Sequence, residues 1–294
     1  MTNDKSIVQS DDSLCGRDVL INGIPFRIHQ IIHQGSDSRI FSVSSLKGGG
    51  DSAFVVKNYC CRRDSEVWNK AMREIEAGNL LSGCPHIARL RGYSVVSDRQ
   101  ETGYNIFLLF DRMPCLDDLA VDTRGALEVC RDISLALEEM RRKGLVHGDV
   151  KPSNIFRCGC RWILGDLGSV FPSGKLPEDC TEGYCSPEAL RGEVCDIRSD
   201  IYSLGITLYK LLSGGKLPFC DAPCDEIAES DVYRAIEIRL SGVAIAPISG
   251  MPDDVNQLLL KMCRFRRRDR FRKPGEAARS ASKILDKAYS TDNA

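Results

Sequence analysis

His147-Gly148-Asp149-Val150-Lys151-Pro152-Ser153-Asn154 places four chemical roles in eight residues. The carboxylate of Asp149 can accept a proton from a hydroxyl nucleophile, and Lys151 can steady a phosphoryl group in flight. The amide of Asn154 can bind Mg²⁺, and Pro152 stiffens the turn between them. Twelve residues beyond Asn154, Asp166-Leu167-Gly168 offers a second oxygen ligand for a metal, followed by a glycine that permits a sharp turn. A lone H-x-D would read as an acidic surface turn. Two such motifs in this order and spacing outweigh that reading.

Outside these motifs the chain is ordinary for a globular protein. It has 294 residues, 43% hydrophobic and 28% charged, enough to bury a core in one large domain or two lobes. A net charge of −1 gives no overall field for nucleic acid or an anionic membrane. No apolar run approaches the roughly 18–20 residues needed to cross a bilayer. Met1-Thr2-Asn3-Asp4-Lys5 lacks the basic-then-apolar layout of a secretory signal, so the expectation is cytoplasmic. Fourteen cysteines are many. A disulfide framework suits small secreted domains, and the pairs Cys158-x-Cys160 and Cys220-x₃-Cys224 lack the usual zinc-ligand spacing. Most of the cysteines are therefore expected to be reduced, partly buried small hydrophobes.

Residues 1 to about 16 are polar and aperiodic and are expected to be disordered. Val19-Leu20-Ile21, Asn22-Gly23 and Ile24-Pro25-Phe26-Arg27-Ile28 read as a hairpin, with Pro25 suited to an edge strand. Strand patterns follow at Ile40 to Val43 and Ala53 to Lys57, joined through Gly48-Gly49-Gly50. Trp68, Met72 and Ile75 then mark one stripe of a helix from about Ser65, with Gly83 as its stop. Two more apolar runs, Ile87 to Leu90 and Ile106 to Phe110, would complete a small antiparallel sheet. After Pro114 the pattern turns helical. Leu127, Cys130, Ile133, Leu137 and Met140 line one face before Gly144, and Ile201, Leu204, Leu208 and Leu211 another before Gly214-Gly215. Sheet first and helices after predict a two-lobed α+β protein.

The loop at 147–154 with Asp166-Leu167-Gly168 resembles the catalytic loop and the D-F-G motif of eukaryotic-like serine/threonine protein kinases, in a form similar to bacterial members. Phe54-Val55-Val56-Lys57 is similar to the family's V-A-I-K, and Glu74, 17 residues on, fits the acidic partner of its lysine. Thr181-Glu182-Gly183-Tyr184-Cys185-Ser186-Pro187-Glu188 resembles the G-T-x-x-Y-x-A-P-E segment. The resemblance pairs Glu188 with Arg270 and gives Asp200 the anchoring of the catalytic loop. It makes His147 a structural residue. Arg264 to Lys273 holds seven basic residues in ten, which the resemblance makes an inter-helical loop rather than a nucleic-acid site.

The glycine-rich loop departs from the pattern. In Ile32-His33-Gln34-Gly35-Ser36-Asp37-Ser38-Arg39-Ile40, His33 and Ser38 replace the outer glycines and only Gly35 remains, so the loop is expected to be stiffer and ATP to bind more weakly. Phe110-Asp111-Arg112-Met113 falls at the family's hinge. The resemblance thus implies nucleotide contacts from Gly35, Ile40, Val55, Lys57, Asp111, Met113 and Phe156. It implies catalysis by Asp149, Lys151, Asn154, Lys57 and Glu74, with Asn154 and Asp166 on Mg²⁺ or Mn²⁺. The expected layout is a disordered segment at 1–16, a kinase domain at 17–287 (lobes 17–113 and 114–287) and a tail at 288–294. The expected activity is transfer of the ATP γ-phosphate to protein serine or threonine, without nucleic-acid or membrane partners. A pseudokinase scaffold gains from the eroded loop and from Gly78, where the family packs an apolar side chain, but it loses to the complete set of chemical groups. A small-molecule kinase is disfavoured by Thr181, Glu188 and Asp200.

Overall fold

The computed structural model describes residues 14–47, 53–97, 103–223, 226 and 228–289. The triple glycine at 48–50, most of the segment before the first strand and the last five residues lie outside these. The chain divides into two compact units, Met1–Asn79 with Arg89–Arg112 and Leu80–Ala88 with Met113–Ala294.

The first unit is a six-stranded antiparallel sheet with one helix. Its strands are β1 (Asp18–Ile21), β2 (Ile24–Gln34), β3 (Arg39–Ser45), β4 (Phe54–Cys61), β5 (Gly92–Ser97) and β6 (Tyr104–Asp111), in the order β1-β2-β3-β4-β6-β5. Asn22 and Gly23 both have positive φ, 50° and 75°, as the two-residue hairpin turn between β1 and β2 requires. β1 is the edge of the sheet, however, so Pro25 lies on an inner strand. It is tolerated one residue from the strand's start, where it faces Leu20 and its carbonyl accepts from the Leu46 amide. Residues 14–16, expected to fall in a disordered segment, are packed. Leu14 and Cys15 pack on the cluster of Val19, Ile21, Phe26, Phe41 and Val43, and the Gly16 amide donates to the Ile28 carbonyl.

Helix α1 (Glu66–Leu80) begins where Ser65 Oγ accepts from the Trp68 amide at 3.1 Å. It covers the other sheet face through Ala71 and Ile75, which pack with Tyr59, Ile106 and Leu108. Ile87 to Leu90 is not a strand. Ile87 and Ala88 run beside Leu164 in the second unit as a single parallel bridge, and the sheet strand starts at Gly92. Four apolar residues carry too little pattern to separate a strand from a buried connector. Gly92 itself marks the place, because a Cβ there would meet Asn22 Nδ2 at 2.6 Å.

The second unit is helical, with α2 (Thr123–Arg142), α3 (Pro187–Leu190), α4 (Ile197–Leu212), α5 (Glu229–Leu240), α6 (Asp253–Met262) and α7 (Pro274–Tyr289). The α7 helix runs two residues past the expected limit of Lys287. Leu127, Cys130, Ile133, Leu137 and Met140 on α2 are buried as the three-and-four spacing predicts, whereas α4 is buried all round from Ser199 to Leu208 and Leu211 of the expected face is only half-buried. Two short two-stranded ladders complete the unit, β7 (Leu145–Val146) with β10 (Phe171–Pro172) and β8 (Ile155–Cys158) with β9 (Arg161–Leu164). They carry the segments 147–154 and 165–170 between them.

Most cysteines among the described residues are reduced, as expected, with one exception. Cys180 and Cys185 form a disulfide with Cα atoms 6.1 Å apart. Eleven other cysteines among the described residues are free, and Cys130, Cys195 and Cys263 are buried. A five-residue separation in a large chain is not the spacing of a secreted framework, so composition gave no warning.

Candidate active site

In the first unit, strand alternation puts Val55, Lys57 and Tyr59 on the face of β4 that α1 covers. Ile40 on β3 is the cross-strand partner of Lys57, and Val55 is that of Phe110. Lys57 Nζ lies 3.0 Å from Glu74 Oε2, and both side chains are nearly inaccessible, at 9% and 2%. A buried carboxylate and ammonium each need the other to offset lost hydration. The Tyr59 hydroxyl also donates to Glu74 Oε2, at 2.5 Å.

The stretch around Gly35 is a tight turn in which the Gly35 amide donates to the Ser38 carbonyl at 2.9 Å, flanked by the pairs His33–Ile40 and Gln34–Arg39. Asp37 in that turn pairs with Lys70 of α1 at 2.8 Å, a tether no motif announced. Asp111 ends β6 with its carboxylate on Arg91 at 2.7 Å, and the Arg112 amide donates to the Ala53 carbonyl. Gly78, which lacks the family's apolar side chain, is backed by Leu90. A Cβ at Gly78 would come within 3.0 Å of Leu90 Cβ, so the leucine fills that space from outside the helix.

In the second unit, Asp149, Lys151, Asn154 and Thr181 converge. Lys151 Nζ is 2.8 Å from Asp149 Oδ2 and 2.7 Å from Thr181 Oγ1. The Thr181 hydroxyl donates in turn to Asp149 Oδ1 at 2.7 Å, with its amide 3.2 Å from the same oxygen. Asn154 Nδ2 donates to the carbonyl and to Oδ2 of Asp149, at 2.8 and 3.1 Å. Burial pushes the Asp149 carboxyl up, but the Lys151 charge, the Lys151 and Thr181 hydrogen bonds and His147 outweigh it and hold it below the usual carboxylate range.

The loop carrying Asp149 hangs on Asp200 of α4, whose two oxygens accept from the amides of His147 and Gly148 at 2.7 and 3.0 Å. Burial pushes Asp200 up to about 6, against the pull of His147 and of those two amides. His147 is buried, its Nε2 3.0 Å from the Gly165 carbonyl while Nδ1 accepts from the Asp149 amide, so it braces the loop. Gly148 has φ +85°, and a Cβ there would lie 2.7 Å from the Ser169 carbonyl oxygen and 3.0 Å from the Phe171 ring.

Asp166 takes a left-handed backbone, φ 53° and ψ 74°, which is costly for a residue with a side chain and is kept where geometry matters. Gly165 before it is closed over by Phe156, whose ring would stand 2.8 Å from a Cβ. Asn154 has turned its nitrogen to Asp149, which leaves the amide oxygen as a ligand of the kind hard cations take. Among the described residues no group of three or more His, Cys, Asp or Glu side chains could hold a metal. An amide oxygen and one carboxylate fit an ion that completes its shell with phosphates and water, as Mg²⁺ does, and not an all-protein cage.

Beyond this cluster, Glu188 and Arg270 form a doubly hydrogen-bonded pair at 2.6 and 2.8 Å, with side chains 5% and 0% exposed. Sequence reasoning missed Arg239. It is buried on α5 and donates to the carbonyls of Glu182, Gly183 and Cys185, so it carries the turn that holds Thr181. An arginine in a helix of mixed pattern gives no hint of partners more than fifty residues away.

Residues 26–289 match the protein kinase domain family. The chain belongs to that family. ATP and a divalent metal are what kinase domains of this family use, and proteins are what they modify. Among relatives, the serine/threonine-protein kinase PknB of Mycolicibacterium smegmatis is 27% identical over 90% of this chain and 45% of its own length. PknB of Mycobacterium tuberculosis is 26% identical over 81% of the chain and 41% of its own length. PknL of Mycobacterium tuberculosis is 29% identical over 76% and 60%. The chain thus spans less than two thirds of each of these relatives. No helix among the described residues is long and apolar enough to cross a membrane.

Proposed function

We propose that the chain is an ATP-dependent protein kinase that phosphorylates serine and threonine hydroxyls. The observation that carries the reading is the closed cluster of Asp149, Lys151 and Thr181, three groups joined by hydrogen bonds of 2.7–2.8 Å. Asp149, kept ionised, orients the acceptor hydroxyl and takes its proton as the oxygen bonds to phosphorus. ATP supplies the phosphoryl group and leaves as ADP. Lys151, pinned between two oxygens, neutralises charge on the group in transfer. Asn154 and Asp166 hold a divalent cation, with Mg²⁺ favoured by the oxygen donors and Mn²⁺ able to replace it. Lys57, held by Glu74, receives the nucleotide phosphates; the resemblance further assigns Gly35, Ile40, Val55 and Asp111 of the first unit and Met113 and Phe156 of the second to nucleotide binding. Catalysis is positioning and charge neutralisation, without a covalent intermediate.

The preference for serine and threonine is supported by the Lys151–Thr181 contact and by the names of the PknB and PknL relatives. An ATP-consuming site works where ATP is supplied, in the cytoplasm. The test is transfer of label from γ-labelled ATP to a generic basic protein, comparing wild type with Asp149→Asn in Mg²⁺ and in Mn²⁺. Transfer by wild type and not by the variant is expected. Equal background from both in either metal would replace the kinase by a non-catalytic nucleotide-binding scaffold.

A further inference from the structure

Tyr59 belongs to no motif, yet it touches both members of the Lys57–Glu74 pair. It is fully buried, two residues beyond Lys57 on the same face of β4. A buried phenol needs an acceptor, and a buried carboxylate needs donors. Here each meets the other's need. The hydroxyl lies 2.5 Å from Glu74 Oε2, within the range of a charge-assisted O–H···O⁻ bond, and Oε2 is the same oxygen that Lys57 Nζ approaches at 3.0 Å. The Lys57 ammonium also lies 5.2 Å from the centre of the Tyr59 ring, inside cation–π range. Ring and hydroxyl thus close a triangle around one carboxylate oxygen.

The helix side supplies the reason such a brace matters. One turn after Glu74 the helix carries Gly78, which has no side chain of its own to grip the sheet, and Leu90 occupies the space instead. A glycine in a helix interior also weakens the helix. The Tyr59 hydroxyl therefore gives Glu74 a hold on the strand that the helix position at Gly78 does not supply.

We propose that Tyr59 is a positioning residue for the phosphate-gripping lysine. Its hydroxyl holds Glu74 Oε2 in the orientation that receives Lys57, and so sets the place of the ammonium. The proposal rests on the kinase reading for the job of Lys57, but the brace itself can be read without ATP. A tyrosine that only fills the core would be replaced by phenylalanine without consequence, since the ring carries the packing.

The experiment is Tyr59→Phe in the full chain, with Glu74→Gln and the double variant. Two quantities are read: KM for ATP against kcat, and the rate at which an acetylating ester modifies Lys57, followed by peptide mass spectrometry. Tyr59→Phe should melt cooperatively, raise KM for ATP roughly 5- to 20-fold with a smaller change in kcat, and speed acetylation of Lys57 by a similar factor. In the Glu74→Gln background the same substitution should change either quantity less than about twofold, because the hydroxyl's effect on Lys57 passes through that carboxylate. The proposal is overturned by wild-type labelling in Tyr59→Phe, by an equal effect in both backgrounds, or by loss of cooperative melting in Tyr59→Phe, which would make the hydroxyl a folding group. If wild type transfers no phosphate, the kinase reading fails, and the labelling rates still decide the brace.

Discussion

Thr181 Oγ1 donates to Oδ1 of Asp149 from 32 residues further along the chain, while the same hydroxyl accepts from Lys151. The threonine therefore orders the base and the cation at once. Thr181→Ala should lower phosphate transfer by about 10-fold or more, whereas Thr181→Ser, which keeps the hydroxyl, should stay within a few-fold of wild type. Steady-state transfer from labelled ATP separates the two. Equal losses in both variants would assign the effect to the methyl group's packing.

The acid limb of activity follows from the same cluster. With its pKa held below the ordinary carboxylate value, Asp149 stays ionised as pH falls and gives up its proposed base role only below the range where an ordinary aspartate titrates. Wild-type kcat/KM should be flat through about pH 5 to pH 7 as far as this group is concerned. Lys151→Met removes the main opposing charge and leaves burial to dominate, so the residual activity of that variant should decline as pH falls through the same window. A decline in wild type that Lys151→Met does not shift would point to another titrating group.

Asp166→Asn removes one unit of negative charge from the proposed metal site without changing core volume. The expected loss in transfer rate is on the order of 10²–10³, with an unchanged melting temperature. Transfer rates across a Mg²⁺ titration, read beside a thermal melt, check both halves of the statement.

Arg270→Ala leaves Glu188 charged and buried without its main partner. This should cost about 3–5 kcal/mol of stability. Burial raises the Glu188 pKa, but the hydrogen bond and charge of Arg270 more than reverse that, so the folded value is depressed. The pair's contribution is therefore full above the ordinary glutamate pKa and is lost as pH falls through the lower folded value. Urea melts at about pH 7 and about pH 4 should show a smaller gap between wild type and Arg270→Ala at the acid end.

Activity should not depend on phosphorylation between Asp166 and Glu188. A kinase gated that way needs a cation beside the catalytic aspartate to dock the phosphate, and the position holds Gly148. Ser169→Ala and Ser173→Ala should keep near-wild-type rates, and phosphatase treatment should change little. Added charge on Thr181 would fall against Asp149 and obstruct it. A large loss on dephosphorylation, restored by incubation with ATP, would require another docking cation.

The sequence exposed the chemical groups more fully than their supports. Asp149, Lys151 and Asn154 lie in one short loop and Asp166 follows one ladder later, so the two motifs and the resemblance they carry pointed to them together. Lys57 and Glu74 were legible through the resemblance of their strand and the helix after it, and the structure joins them as a pair. The supports act over long separations. Arg239 reaches back to 182–185, Lys70 to Asp37, and Leu90 to Gly78, and none leaves a local pattern. Tyr59 could have been found, since period-two alternation already placed it beside Lys57. Ile87 to Leu90 misled because a short apolar run says that a segment is buried and not what it is buried against.

The backbone at Gly148 gives any control of this chain an evolutionary dimension. With φ +85° and a carbonyl oxygen 2.7 Å from where a Cβ would stand, the position excludes every side chain, arginine included. A single codon change cannot convert this loop to a phosphate-docking one, because the first step would already misplace the aspartate next door. The loop and the 169–171 segment would have to move together. Phosphorylation-gated control of that kind therefore lies across a fitness valley for this chain, and an engineer wishing to install it would have to redesign two segments at once.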